Sequence, residues 1–218
     1  MKTTHWLALA ALALLPLAGR AEDDADDTGE RNNQMTVALF GGANLKGIDR
    51  PACYYYYCYY GSTSMVSPGT GYGLEFRYSR YFSKQKLEWY IGENVMAHPS
   101  KDFGDVYTSV LGSGLHFHGY SASRKISPYG GLGIGIGLIS DKNNYSGSDH
   151  TFSPVLQAEL GVDFRTTDVL TLRLSARHER FFTNKYQTSY YDYNGNRIQS
   201  NSSQPNETFL NLGFAFKF

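Results

Sequence analysis

Two cysteines, Cys53 and Cys58, enclose the run Tyr54-Tyr55-Tyr56-Tyr57, and Tyr59 and Tyr60 follow directly. A thiol pair this close can form a disulfide or contribute to a zinc site. The segment has no His to help complete a zinc set, so the expected state in an exported chain is the disulfide. A second stretch carries Tyr186, Tyr190, Tyr191 and Tyr193, so ten of the 18 Tyr fall in two segments. Tyr offers large, rigid contact area with a polar tip at low entropic cost, which suits a binding surface. The same residues would also serve simply to cap the fold beneath them.

The candidate acid–base groups are His98, His116, His118, His150 and His178. His116 and His118 share one strand face beside Gly114, and His178 sits in Ala176-Arg177-His178-Glu179. An isolated His on a strand is more often a hydrogen-bonded group than a catalytic base. Gly131, Gly133, Gly135 and Gly137 repeat with a strict spacing of two inside an apolar run. That spacing is not a dinucleotide fingerprint; it thins one strand face and leaves room there for long side chains. The 20 basic and 20 acidic groups balance, which excludes a strongly basic nucleic-acid binder. Mean hydropathy is -0.40, and no apolar run is long enough to cross a membrane as a helix.

Positioning these groups falls to the elements along the chain. Lys2, the apolar stretch from Trp6 to Ala18, and Gly19-Arg20-Ala21 read as an export signal over 1–21, cleaved after Ala21. Glu22-Asp23-Asp24-Ala25-Asp26-Asp27-Thr28-Gly29-Glu30 has no apolar residue larger than Ala and is expected to be a disordered linker over 22–33. From Gln34 onward the hydrophobic period is two. In Val155 to Arg165, Leu156, Ala158, Leu160, Val162 and Phe164 form one face, and Gln157, Glu159, Gly161, Asp163 and Arg165 the other. Leu170 to Arg177 and Leu210 to Phe218 repeat the pattern. The same template predicts eight strands, at 34–43, 70–82, 86–97, 105–118, 128–139, 153–166, 169–183 and 208–218, each long enough for a tilted membrane crossing.

The connections after strands two, four and six are short, whereas those after the odd strands include the long segments 44–69 and 184–207. Consistent placement of long loops at one end is a barrel property: short periplasmic turns, longer extracellular loops. The expected fold is therefore all-β, an eight-stranded antiparallel up-and-down transmembrane β-barrel over 34–218. Tyr81, Phe82, Trp89, Phe117, Tyr120, Tyr129, Phe216 and Phe218 lie near strand ends, where an interfacial aromatic belt belongs. The charges assigned to the lumen are Glu75, Arg77, Glu88, Glu159, Asp163, Arg165, Arg173, Arg177 and Glu179. Eight strands enclose a space that side chains just fill, so paired charges would form a plug; a narrow ion path through them is the alternative.

The export signal, the eight amphipathic strands, the stretch Pro128-Tyr129-Gly130-Gly131-Leu132-Gly133 and the end Leu212-Gly213-Phe214-Ala215-Phe216-Lys217-Phe218 together resemble the OmpA/OmpX-type outer-membrane β-barrel superfamily of Gram-negative bacteria. The resemblance covers residues 34 to 218 and is closer to the stand-alone barrels, with no peptidoglycan-binding domain expected. It implies an outer-membrane location, contact with outer-membrane lipids and lipopolysaccharide, and recognition of Phe218 by the barrel-assembly machinery. It also implies a monomer without cofactor or metal. Some such barrels trim lipid A with surface His and Ser, but the His-x-Ser-Asn-type motif associated with lipid A deacylases is absent here. The leading expectation is envelope structure and surface binding or adhesion to a host or surface ligand through loops 44–69 and 184–207. A small passive ion channel and a lipid A-modifying enzyme are the alternatives.

Overall fold

The computed structural model describes residues 32–46, 50–51, 65–66, 69–82, 86–99, 105–120, 125–143, 147–183, 189–191, 197–199 and 204–218. The export signal, nearly all of the acidic linker and the segment of Cys53 and Cys58 lie outside the described residues.

Eight strands form a closed antiparallel barrel: β1 Asn33–Lys46, β2 Gly71–Phe82, β3 Leu87–His98, β4 Val106–His118, β5 Ile126–Asn143, β6 Gly147–Arg165, β7 Leu170–Phe181 and β8 Asn206–Lys217. Each strand pairs with its sequence neighbours, and β1 pairs with β8 to close the ring. Closure leaves no sheet edge, so every strand finds its backbone partners inside the protein. The last residue completes the seam, where the Phe218 amide donates to the Asn33 carbonyl at 3.0 Å.

The alternation of the sequence becomes an alternation of environment. Leu160 is 72% exposed, Ile134 71% and Leu132 65%, while Glu159, Arg173 and Arg177 are buried. A water-soluble sandwich would invert that distribution; a barrel in hydrocarbon requires it. Phe82, Phe117, Tyr120, Phe216 and Phe218 face outward at the short-turn end, and Tyr72 and Tyr107 at the long-loop end. Tyr81 and Tyr129 depart from the expected belt, being 2% and 5% exposed within the lumen. Tyr81 shares the parity of Glu75 and Arg77, and Tyr129 that of the glycine row; parity, not distance from a strand end, decides which way a side chain points.

The strands β5 and β6 run to 18 and 19 residues, longer than expected, and are joined by 144–146. Their outer portions, paired from Ile139↔Thr151 to Asn143↔Gly147, lack the apolar alternation a lipid-facing strand needs, so hydrophobic periodicity does not reveal them. The other two long connections each contain a short antiparallel ribbon, Arg50–Pro51 with Met65–Val66 and Ser189–Tyr191 with Arg197–Gln199.

One β-bulge interrupts β1. Between Phe40 and Ala43 the strand carries one residue more than β2, and between Gly41 and Asn44 one more than β8. Gly42 supplies the left-handed φ of 72° that this kink uses. Below the bulge even-numbered residues point inward; above it Ala43 and Leu45 do, and Asn44 and Lys46 turn outward.

Placing an arginine at Ile134, among the outward residues, should lower stability in a bilayer by about 2–4 kcal/mol. Urea unfolding in lipid vesicles measures this, and a change below about 0.5 kcal/mol would contradict a hydrocarbon-facing exterior.

Candidate functional site

The polar faces of the strands meet in the lumen as a stack of buried side chains, and the β6–β7 register builds most of it. Antiparallel pairing sets Asp163 opposite Arg173, Glu159 opposite Arg177 and Gln157 opposite Glu179. Each is a cross-strand neighbour pair on the inward face, the sheet's basic unit of side-chain stabilisation.

Nearest the short turns, Arg173 holds two carboxylates at once. Its Nε and Nη2 donate to Asp163 Oδ1 and Oδ2 at 2.8 and 2.9 Å, and its Nη1 and Nη2 donate to Glu88 Oε1 and Oε2 at 3.0 and 2.9 Å. The guanidinium also lies over the Tyr129 ring, 4.6 Å from its centroid. Planar, forked donors are what bidentate carboxylate recognition needs, and a lysine would not reproduce them. Glu88 further accepts from His116 Nδ1 at 3.2 Å and His118 Nε2 at 3.0 Å.

The next layer contains two arginines and two glutamates. Glu75 Oε1 accepts from Arg77 Nε and Nη2 at 3.1 and 2.8 Å and from Arg177 Nη2 at 2.7 Å. Glu159 Oε2 accepts from Arg77 Nη2 at 2.8 Å and from Arg177 Nε and Nη2 at 2.9 and 2.7 Å. Tyr129 Oη donates to Glu159 Oε1 at 2.7 Å. In the ring order β2 and β6 are diametrically opposed, as are β3 and β7. Arg77–Glu159 and Arg173–Glu88 therefore span the lumen rather than decorate its wall.

Above these layers Glu179 Oε1 accepts from Asn94 Nδ2 at 2.7 Å and Gln157 Nε2 at 2.8 Å. Glu207 meets His98 Nε2 at 3.1 Å and Thr108 Oγ1 at 3.3 Å. Two apolar groups share the long-loop end of the lumen. One contains Leu45, Val106, Ile139 and Phe181, and the other Phe40, Met96 and Phe209. The glycine row admits this packing: a Cβ at Gly131 would collide with His116, one at Gly133 with Tyr90 and Gln157, and one at Gly137 with Phe181. These neighbours come from adjacent or next-nearest strands rather than from across the barrel.

Eight of the nine expected lumenal charges join this stack. Arg165 does not. It has inward parity but stands at the last residue of β6, where its Nη2 bonds Asp168 Oδ1 at 2.8 Å and its Nε the Thr167 carbonyl at 3.3 Å in the short turn. Water is available there, so the side chain has no need to enter the lumen. Gln157, on the same face of β6 as Glu159 and Asp163, joins the stack as its parity requires; His98, His116, His118, Tyr81, Tyr90, Tyr129, Asn94 and Glu207 belong to it in addition to the expected charges. The inward parity of His116 and His118 was the available signal. His178 instead faces out, its Nδ1 2.8 Å from Thr208 Oγ1. Among the described residues no three His, Cys, Asp or Glu side chains could share a metal ion. Of the expected binding residues, Tyr190 and Tyr191 lie in the ribbon Ser189–Tyr191. Tyr54, Tyr55, Tyr56, Tyr57, Tyr59, Tyr60 and Tyr193, with Cys53 and Cys58, lie outside the described residues.

No protein-family model and no curated protein sequence matches the chain. Solved structures do resemble it. Neisserial surface protein A aligns with TM-score 0.57 at 14% identity, over 85% of this chain and 97% of that one. Ail, the attachment invasion locus protein of Yersinia pestis, aligns with TM-score 0.51 at 13% identity, over 87% and 99%. The outer membrane protein OprG of Pseudomonas aeruginosa aligns with TM-score 0.51 at 12% identity, over 88% and 99%. The chain has the OmpA/OmpX-type fold, the eight-stranded barrel of bacterial outer membranes.

Removing one charge from the spanning layer should expose how much depends on it. Glu159→Gln keeps the shape but leaves Arg77 and Arg177 short of a counter-charge, and should cost about 3–5 kcal/mol. Arg165→Gln, at the solvated turn, should change stability by under about 1 kcal/mol. Urea midpoints of the two variants in the same micelles check the contrast, and equal losses would contradict it.

Proposed function

We propose that the chain is a non-conducting outer-membrane barrel whose closed lumen serves as a rigid base and whose long loops bind an external surface or ligand. The observation that carries this reading is the pair of Arg–carboxylate layers crossing the full lumen, Arg77 and Arg177 with Glu75 and Glu159, and Arg173 with Glu88 and Asp163. Ions crossing such a space would have to break several short, buried, charge-assisted bonds at once, each of which is costly to leave unmade. With the interior occupied, the parts left to meet partners are the outer ends of the loops, 44–69 and 184–207, where most of the Tyr are concentrated. A disulfide between Cys53 and Cys58 would pre-organise the first of these at lower entropic cost on binding. Ail, an attachment protein by its name, shares the fold. Phe218, with Phe214 and Phe216 on the same outward face, is the proposed recognition element for the assembly machinery.

The purified barrel in a planar bilayer should show no conductance steps. Steps whose size changes in an Arg173→Gln/Glu159→Gln variant would replace this reading with that of a small channel. Deleting 53–60 should abolish attachment to the surface the intact protein binds, with the barrel's heat-dependent gel shift retained. Undiminished attachment would remove the first loop from the function. Lipid A mass profiles of cells with and without the protein should coincide; a lost acyl chain would instead indicate an enzyme.

A further inference from the structure

Among the described side chains, the outward face of the barrel strands has one carboxyl group. Glu93 on β3 has outward parity, between Ile91 and Val95, and is half-buried. It aligns with Phe76 on β2 and Leu111 on β4, which are 53% and 48% exposed. The outward lysine and arginines, Lys46, Arg80 and Arg180, all stand at or near a strand end. Glu93 does not. Ala97 shares a row with Tyr72 and Tyr107 at the long-loop end, and Leu87 shares one with Phe82 and Phe117 at the short-turn end. Glu93 lies between these rows, nearer the first. With tilted strands its carboxyl is about 10 Å inside the long-loop boundary of the hydrocarbon.

The contacts of Glu93 do not satisfy a carboxyl group at that depth. It accepts one long hydrogen bond, from Ser109 Oγ at 3.3 Å, and it forms no ion pair with a described residue. Ser113, also outward on β4, donates its hydroxyl to the Tyr90 carbonyl at 2.9 Å. Polar groups facing hydrocarbon are costly, and an intramembrane carboxyl calls for a partner. The wall beside Glu93 is uneven. On β4 to β6 it is indented by a groove of about 520 Å³ between Leu111, Ser113, Ile134, Ile136 and Pro154. On the other side β2 presents the ring of Phe76.

We propose that this face is the contact between two copies of the chain, centred on Glu93. All copies insert in one direction, with the long loops outside. A two-fold axis relating two of them therefore runs along the membrane normal and leaves depth unchanged. A group near the axis meets its own counterpart. Two neutral carboxyl groups suit that symmetry, because each O–H donates to the other's carbonyl oxygen and the pair is its own image under the rotation. An ion pair would need a base at the same depth, and the described outward residues offer no lysine or arginine there. The rotation also sets each Phe76 against the other copy's β4–β6 side, where the groove and the small side chains of Ser109 and Ser113 give the ring room. Such a pair departs from the monomer that the resemblance implies, and it is independent of what the loops bind.

The test uses the full chain in phosphatidylcholine vesicles, with energy transfer between donor- and acceptor-labelled copies followed as lipid is added. Glu93→Leu should weaken the dimer about tenfold. Glu93→Gln, whose amide can form the same cyclic pair, should keep most of it, which a role in packing alone would not predict. In cells, Ile91→Cys in a Cys53→Ser/Cys58→Ser chain should be joined to a second copy by a bis-maleimide. Leu174→Cys, on β7 diametrically opposite β3, should not. The heat-dependent gel shift reports that each variant is still a barrel. No energy transfer at any protein-to-lipid ratio, an undiminished dimer in folded Glu93→Leu, cross-linking through Leu174→Cys instead, or an Ile91→Cys product with a different protein would each overturn the proposal. Deleting 53–60 should leave dimerisation unchanged, so this inference and the reading of the loops fail separately.

Discussion

Hydrocarbon offers no hydrogen bonds, and the rest of the structure depends on that. A backbone crossing it has to pair all its amides and carbonyls within the protein, and for a sheet this means closing on itself. With eight strands, closure encloses a space too narrow for bulk water and too wide to leave empty. The outward face is committed to apolar residues, so the inward face is where the chain can place charge. The Arg–carboxylate layers follow from this geometry. Guanidinium groups are long enough to reach the opposite wall and flat enough to stack on Tyr90 and Tyr129, and their forked donors occupy two acceptors each.

Such a filling has a cost that a hydrocarbon core would not. Buried charges lose their hydration, and a well-packed apolar lumen of equal volume could be as stable. What the network adds is directionality. Arg173 accommodates Asp163 and Glu88 only if β3, β6 and β7 stand in one register, and Arg177 imposes the same condition on β2, β6 and β7. A slip by one residue along any of these strands would put charge into lipid and leucine into the lumen, so the ion pairs and the exterior enforce the same alignment. The apolar groups around Phe181 and Phe209 take over towards the long loops, where Tyr90, Gln157 and Asn94 mark the change from ionic to neutral contacts.

Much of this was legible in the sequence because parity leaves a mark. Val155 to Arg165 reads as two faces without ambiguity, and the inward positions of Glu159, Asp163, Arg173 and Arg177 follow from it. Where the mark fades, so does the reading. Tyr81 and Tyr129 are amphipathic enough for either side of the wall, and their nearness to strand ends suggested the wrong one. Arg165 has the right parity but lies where water is within reach. Glu207 and His98 sit at strand ends next to segments with no alternation, so neither looked like a lumenal residue. Parity also says nothing about which inward groups meet across the lumen; that depends on strand tilt and closure, which no single strand encodes.

The bulge in β1 divides that strand into two halves in opposite phase. Below it, the inward set is fixed by packing with β2 and β8; above it, by Leu45 among Val106, Ile139 and Phe181. For anyone grafting a foreign peptide onto this scaffold, the two halves set different rules. A junction placed beyond Lys46 inherits the correct phase whatever the length of the insert. A junction at Gly41 or Gly42 would have to reproduce the left-handed residue and the odd count as well, or every side chain above it would change sides. The glycine thus sets the lower boundary of what can be exchanged, and the barrel beneath it can be treated as a fixed socket.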